Sequence, residues 1–281
     1  MTASGNIQSV TDQGDPKKPN EDWVHADEHL VVVLDGQTVR TDTGCVHGVP
    51  WYVEHLGRQL VNRAGAGKDL VDALASSIRH VAAEHPGCDL THPGTPSAGL
   101  AVLRLGPTIE WLVLGDVTVV LDAAGKPQII ADHRVSATAP AERAEVARWP
   151  IGSPERAAAL IAMKHAELAA RNRPGGYWIA AADPAAATHG LTGNIPADQV
   201  RRAAVLTDGA ARMVDLFGLL DWPKVLDLLD IEGPTGLVTQ VRQAEAADQA
   251  AVRWPRTKQS DDASLVYVPG HRAPTDDSVV K

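Results

Sequence analysis

The sequence predicts an α+β fold in which two layers of β-sheet carry helices on their outer sides. Eight short apolar runs have strand character, and the intervals between neighbouring runs are mostly of hairpin length. The helical patterns fall in separate groups instead of alternating with strands. With 281 residues, 44% of them hydrophobic and 22% charged, the chain can bury a sizeable core. The expected organisation is one domain over residues 1–270. Residues 134–175 form a candidate flap or insert over a cleft, and the polar stretch 271–281 is expected to be a disordered tail.

The strand-like runs are 6–12, 29–35, 97–105, 109–116, 117–123, 126–132, 203–208 and 263–269, rich in β-branched residues and several closed by Gly or Pro. "VVLDAAGKPQII" reads as a hairpin turning at Ala124-Gly125. Between the second and third runs, 50–64 and 67–85 are helical. On the latter, Leu70, Leu74 and Ile78 recur on one face, with Val71 and Val81 alongside. A helix over 153–172 starts at Ser153 as N-cap, with Pro154 in its first turn and Glu155 behind it. "RPGGYW" (173–178) reads as a turn entering a strand, and its glycines open no phosphate-binding helix, which argues against a nucleotide loop. Helices over 211–220, 222–230 and 236–253 come before the last strand.

A net charge of -9, with no basic stretch, argues against a nucleic-acid partner. Phosphorylated substrates stay open, because a metal ion can supply positive charge locally. Cys45 and Cys88 are too few for a disulfide framework and read as half-buried thiols of a reducing compartment. The N-terminus has no basic segment followed by an apolar core, and no run approaches about 18 apolar residues. The expectation is a cytoplasmic protein with no membrane partner.

Carboxylates mark the strand ends. Asp35 follows "LVVVL", Asp116 follows "WLVLG", Asp208 follows "AVLT", and Asp261-Asp262 precede "ASLVYV", while Glu21 and Asp22 lie just upstream of the second run. One such aspartate is usually a turn residue. Several on rigid elements could instead converge as oxygen ligands for Mg²⁺ or Mn²⁺. Two ions roughly 3.5–4 Å apart can activate water for attack on phosphorus.

In order, "NED", "LDG", "LGD", "LTDG" and "SDDAS" resemble the motifs of the metal-dependent Ser/Thr protein phosphatases of the protein phosphatase 2C family, from about Ile7 to Val268. The resemblance implies a central antiparallel β-sandwich flanked by helices, in four αββα layers, with two Mn²⁺ or Mg²⁺ ions at one end. It implies that Asp35 bridges the ions, that the Gly36 carbonyl ligates one and that Glu21 holds its water shell. Asp208 and Asp261 would ligate the second ion, and Asp116 would help bind a third, looser one. Asp262 stands where the family commonly has Asn and is expected to support the ligands. The implied activity is hydrolysis of a phosphorylated protein or peptide.

Several positions depart from the pattern. Lys17 stands where the family has a phosphate-gripping arginine, and it gives a point charge without the bidentate fork. "DGxGG" becomes "DGQTV", so Gln37 and Thr38 crowd the loop. The third motif reads "TPSAG", and "GDSR" becomes "GDVT". Arg212 occupies a place where many relatives are acidic; it reads either as a solvated helix residue or as a guanidinium replacing the one lost at position 17. In "TGCVHGVPWYVEHL", His47 and Trp51 could line a substrate pocket or simply pack together, and neither His47 nor His55 has metal-ligand context. Two other functions remain open: a non-catalytic binding module, and a hydrolase of a small phosphorylated metabolite or of another small molecule with Cys45 as nucleophile.

Overall fold

The computed structural model describes residues 6–270, so the predicted tail over 271–281 lies outside the described residues. The strands are β1 (Gln8–Asp12), β2 (Asp22–Ala26), β3 (Leu30–Gly36), β4 (Ala98–Arg104), β5 (Thr108–Leu114), β6 (Thr118–Ala123), β7 (Lys126–Ile130), β8 (Leu191–Pro196), β9 (Val200–Leu206) and β10 (Ala263–Val268). The helices are α1 (Gly48–Gly65), α2 (Leu70–Ala83), α3 (Arg134–Ala137), α4 (Pro140–Arg148), α5 (Pro154–Ala170), α6 (Asp208–Asp215) and α7 (Trp222–Ala247). One sheet runs β1-β10-β9-β6-β7 and the other β2-β3-β4-β5-β8. Every pairing is antiparallel.

Strand alternation builds the layers. On β3, Val31 and Val33 point between the sheets, where they meet Ala101, Leu103, Val119, Val205 and Val266. The alternate residues Leu30, Val32 and Leu34 pack outward on Leu56, Leu60, Leu74 and Ile78 of α1 and α2. The other sheet does the same, with Ala204, Leu206, Leu265 and Tyr267 turned onto α6 and α7. Burial on both faces is why these strands read as unbroken apolar runs, and the result is the four-layer αββα sandwich. Truncating Leu34, fully buried between β3 and α1, to Ala would cost about 2–5 kcal/mol.

Local chemistry sets the helix ends. Asp69 caps α2 by accepting from the Val71 and Asp72 N–H groups, and Ser153 caps α5 through the Arg156 N–H. The two helices expected over 222–253 are the two arms of α7, joined at Gly233, whose φ of 69° breaks the helical path before Pro234. Three expectations need correction. Residues 177–180 form only isolated bridges, Arg171 with Tyr177 and Ala98 with Ala180, so no strand follows "RPGGYW". The helix expected over 211–220 is α6, which starts at Asp208 and ends at Asp215. Two strands outside the expected runs, β2 and β8, form the two edges of the second sheet beside β3 and β5. Among the described residues, no helix is long and apolar enough to cross a membrane.

Candidate active site

The carboxylates converge where the two sheets end together. The alternation that sends Val31 and Val33 into the sandwich turns Asp35 the same way. Asp208 opens α6 directly after β9, Asp116 follows β5, and Asp261 precedes β10. Asp208 donates its N–H to Asp35 Oδ2 at 3.2 Å. Glu21 stands at the entry to β2, where Asp22 pairs in register with Asp35. The Gly36 N–H donates to the Glu21 carbonyl at 3.1 Å. A Cβ on Gly36 would meet that carbonyl oxygen at 2.4 Å, and one on Gly99 would meet Asp116 Oδ1 at 2.7 Å. Larger residues there would push the acidic groups apart.

These carboxylates repel one another. Burial first, then Asp208, Asp22, Asp116 and Asp261, raise the Asp35 pKa well above the usual aspartate range. Burial and then Asp261 and Asp116 lift Asp208 to about 7. Asp22 and Asp116 are raised as well, by burial and then by neighbouring acids. Glu21 is raised chiefly by burial. Asp116 Oδ1 is buried with no hydrogen-bond partner among the described residues. Crowded oxygen donors with an orphaned lone pair, on a rigid frame, fit a hard divalent cation such as Mg²⁺ or Mn²⁺.

Two cations already touch the cluster. Lys258 Nζ pairs with Asp261 Oδ1 and donates to Thr38 Oγ1 at 2.8 Å; Thr38 in turn donates to Glu21 Oε2 at 2.9 Å. Burial acts to lower the Lys258 pKa, but Asp261, Asp208 and Asp35 outweigh it and raise it. On the opposite side, Arg212 donates to Asp261 Oδ2 at 3.0 Å and to Glu245 Oε1. Arg212 is 6% exposed, so its reading as a solvated residue is corrected: two buried carboxylates draw it inward.

The other expected residues fall as follows. Lys17 is exposed in the turn before β2, with its backbone N–H on Asp15 Oδ1, and it lines neither cavity described below. Asp262 accepts from the Gly14 and Glu21 N–H groups at 2.8 and 2.7 Å, which orients the loop carrying Glu21. Gln37 reaches Asp116 Oδ2 at 3.5 Å. Val117, in the altered "GDVT", is core between the sheets. The His47 and Trp51 rings pack at a tilt of 31° with centroids 4.4 Å apart but line neither cavity; they lie beside His85 and the two cysteines.

A cavity of about 540 Å³ opens on the cluster, lined by Asp116, Asp208, Asp261 and Arg212 and walled by Val135, Arg143, Val146 and Met163. A smaller one of about 110 Å³ adds Asp35, Thr38, Arg40, Lys164, Glu167 and Lys258. The wall is the segment 134–175 folded as α3, α4 and α5, with Val146, Ala159, Leu160 and Met163 packed between α4 and α5. Arg156 anchors it by donating to the carbonyls of Val146 at 2.9 Å and of Trp149 and Arg256. Sequence reasoning gave no site role to Asp22, Arg40, Lys164, Glu167 and Lys258. For Asp22 the signal was at hand, since it stands in "NED"; the others sit in loops or on a helix without a motif.

No protein-family model matches the chain, and no curated protein does. Solved structures do. The serine/threonine phosphatase PstP/Ppp of Mycobacterium tuberculosis is 14% identical, with 95% of this chain and 99% of that one covered at a TM-score of 0.55. The catalytic domain of PstP in complex with two manganese ions is 16% identical, over 93% and 96% of the two chains, at 0.52. PppA of Pseudomonas aeruginosa, a regulatory component of a type VI secretion system, is 14% identical over 96% and 99%, at 0.55. The chain has the fold of the bacterial protein phosphatase 2C-like Ser/Thr phosphatases. The likeness covers 93–96% of this chain in these three structures.

Proposed function

We propose that this protein is a metal-dependent phosphomonoesterase acting on phosphoserine or phosphothreonine in proteins. The observation that supports it best is the buried carboxylate cluster, with Asp116 Oδ1 orphaned, at the mouth of a cleft on a phosphatase fold. Asp35, Asp208, Asp261 and the Gly36 carbonyl would hold two Mn²⁺ or Mg²⁺ ions. Asp116 would hold a third, and Glu21 would act through water. When bound, such ions acidify water and neutralise charge on phosphoryl oxygens.

The chain's own groups do the rest. Arg40 lines the smaller cavity and makes no side-chain hydrogen bond among the described residues, so its fork is free to meet a phosphate. It takes the part expected of Lys17 or Arg212. Arg212, engaged on both sides, positions Asp261. The walls bring positive charge at Arg143 and Lys164, balanced by Glu167. A small phosphorylated metabolite would use the same groups.

Lys258 supports a second reading. An ammonium already on Asp261 is a resident cation, as a binding module without metal would need. Phosphate release from a phosphothreonine peptide with Mn²⁺, Mg²⁺ or EDTA separates the two. Metal-dependent release that Asp35→Ala and Asp208→Ala both abolish supports the phosphatase; no release with either metal supports the binding module. The third function is tested by Cys45→Ala, which abolishes turnover only if the thiol is the nucleophile. Burial pushes the Cys45 thiol up, against that role.

A further inference from the structure

Two short pairs, Cys45-x-His47 and His85-x-x-Cys88, flank the helices α1 and α2 and meet in space. Cys45 and His47 end the loop running from β3 to α1. Cys88 ends a turn after α2, with its N–H on the His85 carbonyl at 3.2 Å. The two sulfurs are 3.5 Å apart, and His47 Nδ1 lies 3.6 Å from Cys45 Sγ and 3.5 Å from Cys88 Sγ.

That triangle has the dimensions of one face of a zinc tetrahedron. Bonds of about 2.3 Å to sulfur and 2.0–2.1 Å to nitrogen put two sulfurs about 3.8 Å apart and each sulfur about 3.6 Å from the nitrogen. A disulfide needs sulfurs at about 2.05 Å. The thiols therefore stand at ligand spacing, both half-buried and unbonded to each other.

We infer that Cys45, His47 and Cys88 bind a structural zinc ion, separate from the carboxylate cluster. The donors suit it: thiolate and imidazole select zinc, whereas Mg²⁺ and Mn²⁺ go to carboxylate oxygens. The surroundings suit it too. The His47 N–H donates to Cys45 Sγ at 3.4 Å, which holds that sulfur turned toward the His47 ring and Cys88.

The three donors at ligand spacing are Cys45, His47 and Cys88; His85 stands just outside them, and its ring would have to move closer to become the fourth ligand. His85 is 6% exposed, and its ring stands edge-on to that of His47 with centroids 4.9 Å apart. Its Nδ1 must donate to the Val81 carbonyl at 2.7 Å, because a carbonyl only accepts, and that leaves the Nε2 lone pair for a metal. On binding, each thiol releases its proton to solvent.

The ion would clip the loop after β3 to the turn after α2, where the Asp89 N–H already donates to the Gly44 carbonyl at 2.9 Å. That loop carries Thr38 and Arg40 into the cleft. A zinc clip would thus replace the rigidity of the missing glycine-rich loop. The inference needs no phosphatase activity to be true.

The test is metal content by mass spectrometry of the full chain, purified under reducing conditions. The Asp35→Ala/Asp208→Ala background keeps the carboxylate cluster from contributing. One zinc per chain is expected there, with affinity lower by about tenfold or more when Cys45→Ser, Cys88→Ser or His85→Ala is added. Because a serine variant could disturb the loop itself, chelator-stripped chain in the same background is also titrated with Co²⁺. A sulfur-to-cobalt charge-transfer band with intense tetrahedral visible bands is expected. Absence of zinc, zinc retained in both serine variants, octahedral weak cobalt spectra, or a native mass lower by two hydrogens from a Cys45–Cys88 disulfide would each overturn the site. Undiminished affinity in His85→Ala alone would overturn its place as fourth ligand.

Discussion

Asp208 donates its backbone N–H to Asp35 Oδ2 across 3.2 Å, a bond from the first turn of α6 to the end of strand β3 and therefore between the two sheets. It brings together carboxylates that the chain carries 173 positions apart. Two unit charges at about 4 Å interact by about 4 kcal/mol at the effective dielectric of a protein surface, so the cluster resists its own assembly. Lys258 and Arg212 relieve part of that by flanking Asp261 from two sides.

Replacing Lys258 changes this balance in a measurable direction. Lys258→Met removes the cation that competes for Asp261, and Mn²⁺ affinity should tighten about tenfold by titration calorimetry. Weaker binding would mean that Lys258 organises the cluster through Thr38 and Glu21.

Arg212→Ala leaves Glu245 and Asp261 buried without this partner. The cost expected in urea denaturation is about 3–5 kcal/mol, and Arg212→Lys should recover part of it. An unchanged midpoint would show that Arg242, which also reaches Glu245 at 2.9 Å, and Lys258 on Asp261 carry the neutralisation without it.

Arg40→Ala should raise KM for a phosphopeptide about tenfold while changing kcat less, the pattern of a lost phosphate contact. A larger rise in Lys17→Ala than in Arg40→Ala would return the phosphate grip to the position that the family motif suggests.

Far from the cleft, Asp122 accepts from Arg201 Nε at 3.0 Å and Arg202 Nε at 2.9 Å. Burial alone would raise its pKa, yet the two guanidiniums outweigh it and hold it below the usual aspartate range. A depressed folded pKa gives stability that is present above the unfolded value and lost as pH falls through the folded one. Stability should therefore decline below about pH 4 with a contribution that Asp122→Asn lacks, visible as a shallower acid limb in thermal melts.

The sandwich was legible because its strands are buried on both sides, and β3 and β4 announce themselves as apolar runs. The edge strand β8, "LTGNIP", is largely exposed and carries Gly and Pro, so only its pairing with β5 makes it a strand. At the site, Asp35, Asp116, Asp208 and Asp261 could be picked out as aspartates at strand ends. Arg40 and Lys258 could not, because loops have no periodicity to show which way a side chain faces. Arg212 was ambiguous for a related reason: its partner Glu245 is 33 residues away on another helix. Cys45 and Cys88, 43 residues apart, read as unrelated thiols until the fold joined them.

Calorimetric titration of Mn²⁺ into chelator-stripped protein tests the carboxylate cluster most directly. Wild type is predicted to bind at least two equivalents, with that binding lost in Asp35→Ala and reduced in Asp208→Ala. Absence of binding by folded wild-type protein would contradict a metal-dependent site and leave Lys258 and Arg212 as the cations that neutralise the cluster.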